Sequence, residues 1–289
     1  MMGYSIFEKT MADMTWEEIE KASKENQIVL FPLGVIEEHG PHLPLGTDSY
    51  YSYASCRCIL EELNNQGEQA LIVPPYYWGI NHCTGAFPGT FTVRPETMKS
   101  LLTDIFKNLH DWGFHNVFCN NCHGDVIHIR AILDAIKVGR SEFGLNIRML
   151  VDFYDLDRIG LKGDEDFILS LNPEYPEEFY AGMDESEIGL FDIHAGGYET
   201  AFMKHYFSEL VNDEIAKNLK STSLTNKELE QWLIGSETTR ILLPLGYAGN
   251  PAGYKNIVNI NSIEKFKAEY TVKRIIELLN SEVYDEAHD

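Results

Sequence analysis

Largely apolar runs of strand length alternate along this chain with stretches whose apolar residues recur every three or four positions. The runs are Gln27 to Leu33 (QIVLFPL), Ala70 to Val73, His115 to Cys119 and Asn146 to Tyr154. Their lack of polar alternation predicts strands covered on both faces, as in a parallel sheet. Between them the period is helical. Thr15, followed by Trp16, Glu17 and Glu18, has capping-box spacing and starts a helix reaching about Lys24. A second helix follows Asp48 and ends near Asn64 and Asn65. Pro95 opens a third, in which Met98, Leu101, Leu102, Ile105, Phe106, Leu109 and Trp112 recur at three- and four-residue spacing up to a stop at Gly113. Val126 to Val138 forms a fourth. Three strand–loop–helix units in succession predict an α/β fold, a three-layer sandwich with a mostly parallel central sheet and helices on both faces.

The second half is less regular. From Asp155 to Glu187 the pattern degrades into an acidic stretch with Tyr, Phe and Pro, which reads either as a solvated loop or as a lid or subunit contact. A helical segment near Asp213 to Lys220, a strand at Arg240 to Leu243 and a long amphipathic helix from about Ile263 to Leu279 follow, with the tail from Asn280 expected to fray. No repeat or low-complexity linker divides the chain. Residues 1–289 therefore read as a single domain with one acidic excursion at about 155–187.

Composition narrows the function. The formal net charge is −22, which argues against nucleic acid and against anionic membrane surfaces, because both need Lys and Arg. No basic-then-apolar leader and no apolar run of about 18 residues are seen, so a cytoplasmic protein is expected. The five cysteines are odd in number and suggest neither a secreted disulfide framework nor a thiolate zinc site.

Chemistry concentrates where the strands end. The loop after the first strand carries Glu37, Glu38, His39, His42 and Asp48, stiffened by Gly40, Pro41, Pro44 and Gly46. On extended chain, residues i and i+2 share a face, so Glu37 and His39 point at one ion while Glu38 points away. Asp48 is within reach of the same ion, and it also suits the N-cap of the next helix. A second island, NNCHGDV, offers His123 and Asp125 at another strand end; a third, DIHAGGYETA, offers His194 and Glu199. Carboxylate and imidazole without thiolate suit Zn²⁺, Mn²⁺ or Fe²⁺, and open α/β sheets bind ligands at the carboxyl ends of their strands.

Taken together, the islands resemble a known family. PLGVIEEHGPHLPLGTD is similar to the P-x-G-x-x-E-x-H-G-x-H-L-P-x-x-x-D signature of creatininases, and NCHGD resembles their N-G-H block. PPYYWGINHCTGAFPGT resembles their Y-G-x-S…P-G-T segment, DIHAGGYETA their H-A-G-x-x-E-T block, and GYAGNPAGY a diverged G-D-P segment. The resemblance implies a homohexamer with two divalent ions per chain, zinc or manganese, with iron also suited. It implies that Glu37 and His123 hold one ion and His39 the other, with Asp48 between them and either Asp125 or Glu199 completing the second seat. It also implies His194 as the acid that protonates the leaving group, with Glu199 beside it. Cys122 replaces the Gly of N-G-H, Asn81 the Ser of Y-G-x-S, Asn250 the Asp of G-D-P, and Gly197 a common Glu. Asn81, His82 and Cys122 are accordingly expected to contact a small, cyclic, polar substrate. The implied reaction is hydrolysis of an amide-type C–N bond by a water shared between the ions. The alternatives are C–C hydrolysis of a cyclic diketone of sugar or inositol catabolism, as for 3-dehydro-scyllo-inosose, and metal binding without turnover.

Overall fold

A computed structural model describes residues 5–180 and 191–286. Five strands, β1 (Ile28–Leu33), β2 (Ala70–Ile72), β3 (Asn116–Asn121), β4 (Asn146–Asp152) and β5 (Ile168–Leu171), form one sheet in the order β2-β1-β3-β4-β5. Every pairing is parallel. The helices are α1 (Trp16–Lys24), α2 (Thr47–Asn65), α3 (Pro95–Asp111), α4 (Val126–Phe143), α5 (Leu156–Ile159), α6 (Gly197–Tyr206), α7 (Asp213–Ala216), α8 (Asn226–Ile234), α9 (Glu237–Leu242) and α10 (Ile260–Glu286).

The apolar runs explain the layers. Val29, Phe31, Leu33, Val117, Cys119, Ile147 and Met149 turn to one face, where α1, α3 and α4 cover them through Ala22, Met98, Leu102, Phe106, Ile132 and Ile136. The alternate residues Ile28, Leu30, Ile72, Phe118 and Leu150 meet Cys56, Ile59 and Leu63 of α2 and Ala268, Val272 and Ile275 of α10. Side chains of a strand alternate between faces, so a strand buried on both must be apolar throughout. From β1 the chain steps outward to β2, then returns to β3 on the other side. That reversal makes the β1/β3 boundary the switch point, where a crevice opens beyond the carboxyl ends of the strands.

Several expectations are corrected. Arg240 to Leu243 is not a strand: Arg240 N–H donates to Ser236 O and Leu243 N–H to Thr239 O, closing α9 instead. Three apolar residues in a row have no period by which to choose. The acidic excursion contains an edge strand, β5, and the short helix α5; its residues 181–187 lie outside the described residues. The C-terminal helix begins at Ile260 and continues through Asn280 to Glu286. Its end is tied down because Glu282 accepts from Arg148 at 2.6 Å and from Asn146 at 2.7 Å, both on β4. Asp48 does not cap α2. Gly46 stands at the N-cap without a side-chain bond, and Asp48 lies inside the first turn.

Candidate metal centre

Three loops meet at the switch point. The loop after β1 brings Glu37 and His39, the first turn of α2 brings Asp48, and the loop after β3 brings His123. A tight turn before α6 brings His194, and α6 itself carries Glu199. Glu37, His39, Asp48, His123 and His194 are all at most 7% exposed. Their ligand atoms, with those of Glu199, fall into three sets, each within 4.8 Å: Glu37–Asp48–His123, His39–Asp48–Glu199 and Glu37–His39–His194.

Each histidine spends its outer nitrogen on a backbone carbonyl. His39 Nδ1–H donates to Glu37 O at 3.1 Å, His123 Nε2–H to Ile80 O at 3.0 Å, and His194 Nε2–H to Glu38 O at 2.8 Å. A carbonyl can only accept, so these bonds fix the tautomers and leave a lone pair on each inner nitrogen. His39 Nε2 lies 3.2 Å from Asp48 Oδ1 and 4.0 Å from Glu199 Oε2. His123 Nδ1 lies 3.0 Å from both Glu37 Oε1 and Asp48 Oδ2, and His194 Nδ1 is 3.8 Å from Glu37 Oε1. Lone pairs thus face carboxylate oxygens, and Asp48 Oδ2 is buried with no hydrogen-bond donor. Acceptors gathered this closely require a cation among them, either protons or metal ions.

The electrostatics agree. Burial works against the imidazolium of His194, but Glu37, Glu38 and Glu199 outweigh it and push its pKa up to about 10. Burial opposes charge at His123 as well, yet Glu37 and Asp48 raise it well above the usual range. Burial would raise Asp48, but His39 and His123 hold it far below the ordinary carboxylate range. Only at Glu199 does the cost of burial win, lifting its carboxyl upward. A group of this kind takes up protons when no metal is bound and releases them when one binds.

Asp125 is not brought into the cluster. It caps α4, accepting through Oδ1 from Ile127 N at 2.8 Å and His128 N at 3.2 Å, and through Oδ2 from His82 N at 2.7 Å. A capping position at the start of a helix claimed the carboxylate, so of the two candidates only Glu199 faces His39 and Asp48. Asn81 is buried and braces its own loop, donating to Phe91 O at 2.5 Å. His82 is exposed, with its ring against Gly235. Cys122 lines a cavity of about 260 Å³ beyond β3 and β4, together with His123, Tyr51 and Lys267. Cys119 and Cys122 have C-x-x-C spacing, but Cys119 packs in the core, and burial raises both thiols.

Some residues of the site carried no signal in the sequence. Thr84, buried, donates to Glu37 Oε2. His128 accepts from Ile80 N at 3.2 Å and so steadies the carbonyl that orients His123. Glu38 does not point away: its Oε1 lies 3.3 Å from His194 Nε2. Trp232 of α8 packs on the His194 ring at 5.5 Å between centroids. Asp192 caps α6 at Gly197 N (2.9 Å) and also accepts from Asn250 N (3.1 Å), joining that helix to the segment after α9. Among the described residues no helix is long and apolar enough to cross a membrane.

Known proteins resemble this chain in sequence and in fold. The family profile for creatininase (creatinine amidohydrolase) matches residues 12–256. A mycofactocin precursor peptide peptidase of Mycolicibacterium smegmatis is 30% identical over 118 residues, covering 40% of this chain and 48% of that protein. The chain thus spans about half the length of the first curated relatives it matches. The creatinine amidohydrolase of Pseudomonas putida is 24% identical over 224 residues, 73% of this chain and 75% of that one. A crystal structure of creatinine amidohydrolase superposes with a TM-score of 0.63 at 19% identity, covering 95% of this chain and 97% of the other. With the profile spanning most of the sequence and the parallel sheet shared with a solved member, the chain belongs to the creatininase family, whose members are hydrolases.

Proposed function

We propose that this protein is a metal-dependent hydrolase that cleaves an amide-type C–N bond in a small cyclic substrate. The observation that carries the reading is the donorless carboxylate of Asp48, set between the lone pairs of two histidines whose tautomers are fixed from outside. Glu37, Asp48 and His123 would hold one divalent ion, and His39, Asp48 and Glu199 the other, with Asp48 common to both sets. The donors are oxygen and nitrogen only, a set that accepts zinc or manganese, with iron also suited; solved creatininases include a manganese form and a Zn–Zn form. Such ions lower the pKa of a coordinated water and polarise the carbonyl it attacks.

The remaining steps fall to the chain itself. His194 faces the cluster through Nδ1 while Glu38 O holds its other nitrogen. It would carry a proton from the attacking water to the departing nitrogen, which must leave as a neutral amine. Trp232 packs against that ring, with centroids 5.5 Å apart, and would help to keep bulk water from it. Cys122 and the polar cavity beside His123 would receive the rest of the substrate. The choice of C–N cleavage is supported by two relatives, an amidohydrolase and a peptidase, both named for that bond.

The experiment pairs metal analysis with a substrate screen. Purified protein should carry close to two divalent ions per chain, Glu37→Ala should lose metal and turnover together, and His194→Ala should keep metal while losing turnover about 10²–10⁴-fold. Metal loss in His194→Ala would make it a ligand. Cyclic amides should release amine; cleavage of cyclic diketones instead would move the reaction to a C–C bond, and full activity without metal would refute the scheme.

A further inference from the structure

His42 is the one histidine of the loop after β1 that the cluster leaves out. It is 1% exposed, and its carbonyl is pinned by Asn212 N at 2.8 Å. Its Nε2 lies 2.9 Å from Thr200 Oγ1. The Thr200 hydroxyl donates to Gly196 O at 2.6 Å, so it must accept from His42 Nε2–H. The direction of this relay fixes the tautomer, and Nδ1 is left as a buried acceptor with no partner. That lone pair faces Gly40, where a Cβ would stand 3.0 Å from Nδ1 on backbone at φ +67°. Glycine two residues before His42 is what gives the ring its seat.

At the other end of the relay is the turn that presents Glu199. Ala195 holds φ +50°, a strained position for a residue with a side chain, and its N–H donates to Glu199 Oε2 at 2.6 Å. Thr200 follows Glu199 directly, and its bond to Gly196 O closes the first turn of α6. The cluster side of the loop and the Glu199 side are far apart in sequence. His42–Thr200 is a side-chain hydrogen bond that spans them.

We infer that His42 is a positioning residue: through Thr200 it holds the strained 194–199 turn so that the Glu199 carboxylate stays over His39 and Asp48, which fixes the affinity of the second metal seat. The inference rests on Glu199 being a ligand. Outer partners of a metal ligand typically control affinity by about 10–100-fold, and His42 reaches Glu199 at a further remove, through Thr200 and the turn. The first seat, built from Glu37, Asp48 and His123, has no bond to this relay and should not respond.

The test is chelator competition on the zinc-loaded full-length chain, following release of the first and second equivalents. His42→Phe keeps an aromatic ring and removes the donor; Thr200→Val removes the acceptor at nearly constant shape. Each should weaken one equivalent by about 10–100-fold and leave the other within about twofold, and the double variant should be no worse than either single. His42→Gln, whose amide can still donate to Thr200, should restore most of the loss; a merely space-filling role would not distinguish Gln from Phe in that order. Two equivalents with unchanged affinity in both His42→Phe and Thr200→Val would overturn the inference, as would equal weakening of both equivalents. Glu199→Gln separates the two levels of argument. If it retains both equivalents, the ligand assignment fails; if it loses one while His42→Phe loses none, the positioning role alone fails.

Discussion

Replacing Gly34 by alanine probes what seats Asp48. Gly34 follows β1, and the first turn of α2 passes directly over it. A Cβ at this position would lie 2.7 Å from Asp48 C and Ser49 N and 2.8 Å from Asp48 O. All three are backbone atoms, so no side-chain rotation relieves the overlap. Reaching ordinary contact at about 3.4 Å requires the turn to withdraw by about 0.7 Å, whereas metal–ligand distances tolerate about 0.2 Å. Asp48 would leave its place between His39 and His123, and on the proposed assignment both seats would suffer, since it is shared between them. Overpacking of this kind costs about 1–3 kcal/mol, which in a chain of this length lowers the melting temperature by roughly 2–10 °C. Gly124→Ala is the control, since nothing lies within 4 Å of a Cβ there. Metal content after dialysis and differential scanning calorimetry read the two effects. Gly34→Ala protein that keeps two tightly held ions and melts within about 1 °C of the parent would refute the close-approach argument.

Two further outcomes are expected. Thr84→Val removes the hydroxyl that donates to Glu37 Oε2, and the ion on Glu37 should be held about 10–100-fold less tightly; an unchanged affinity in chelator competition would show the hydroxyl to be dispensable. In metal-free protein, burial and the neighbouring His39 push the His42 pKa down to about 4. The unfolded chain binds a proton below about 6.5 and the folded chain does not until about 4, so this contribution is complete above pH 6.5 and declines as pH falls toward 4. The loss by pH 4 is about 3 kcal/mol. Urea denaturation across that range should show a shallower decline for His42→Gln, and parallel curves for the two proteins would contradict the assignment.

Much of this architecture is legible in the sequence because its signals are local and strong. The run of β1 is apolar without interruption and those of β3 and β4 are apolar but for their ends and Arg148, as strands with two covered faces need be, and the buried face of α3 repeats from Met98 to Leu109. The site loops announce themselves by placing acids and imidazoles where strands end. The failures are equally physical. β5 is an edge strand of four residues inside an acidic segment, and α9 shares its short apolar run with many strands. Asp48 and Asp125 show the limit of reading carboxylates singly. Each stands at a helix start; one caps its helix and the other turns into the crevice, and the difference lies in what the opposite loop presents. His82 N–H claims Asp125, while His39 and His123 face Asp48. Glu38, Thr84 and His42 reach partners that no spacing along the chain could reveal.

The reversal of strand order at β1/β3 also governs when an ion can be held. In the proposed assignment the loop after β1 supplies only part of each seat, and the missing donors, His123 and Glu199, arrive from beyond β3 and from α6. Neither coordination sphere exists until the parallel sheet has closed, and such non-local pairing is the slow part of folding. On that assignment the ion would bind after the sheet has closed rather than template the chain as zinc does in a finger, and would stabilise the native state by about 4 kcal/mol at a thousandfold excess over Kd.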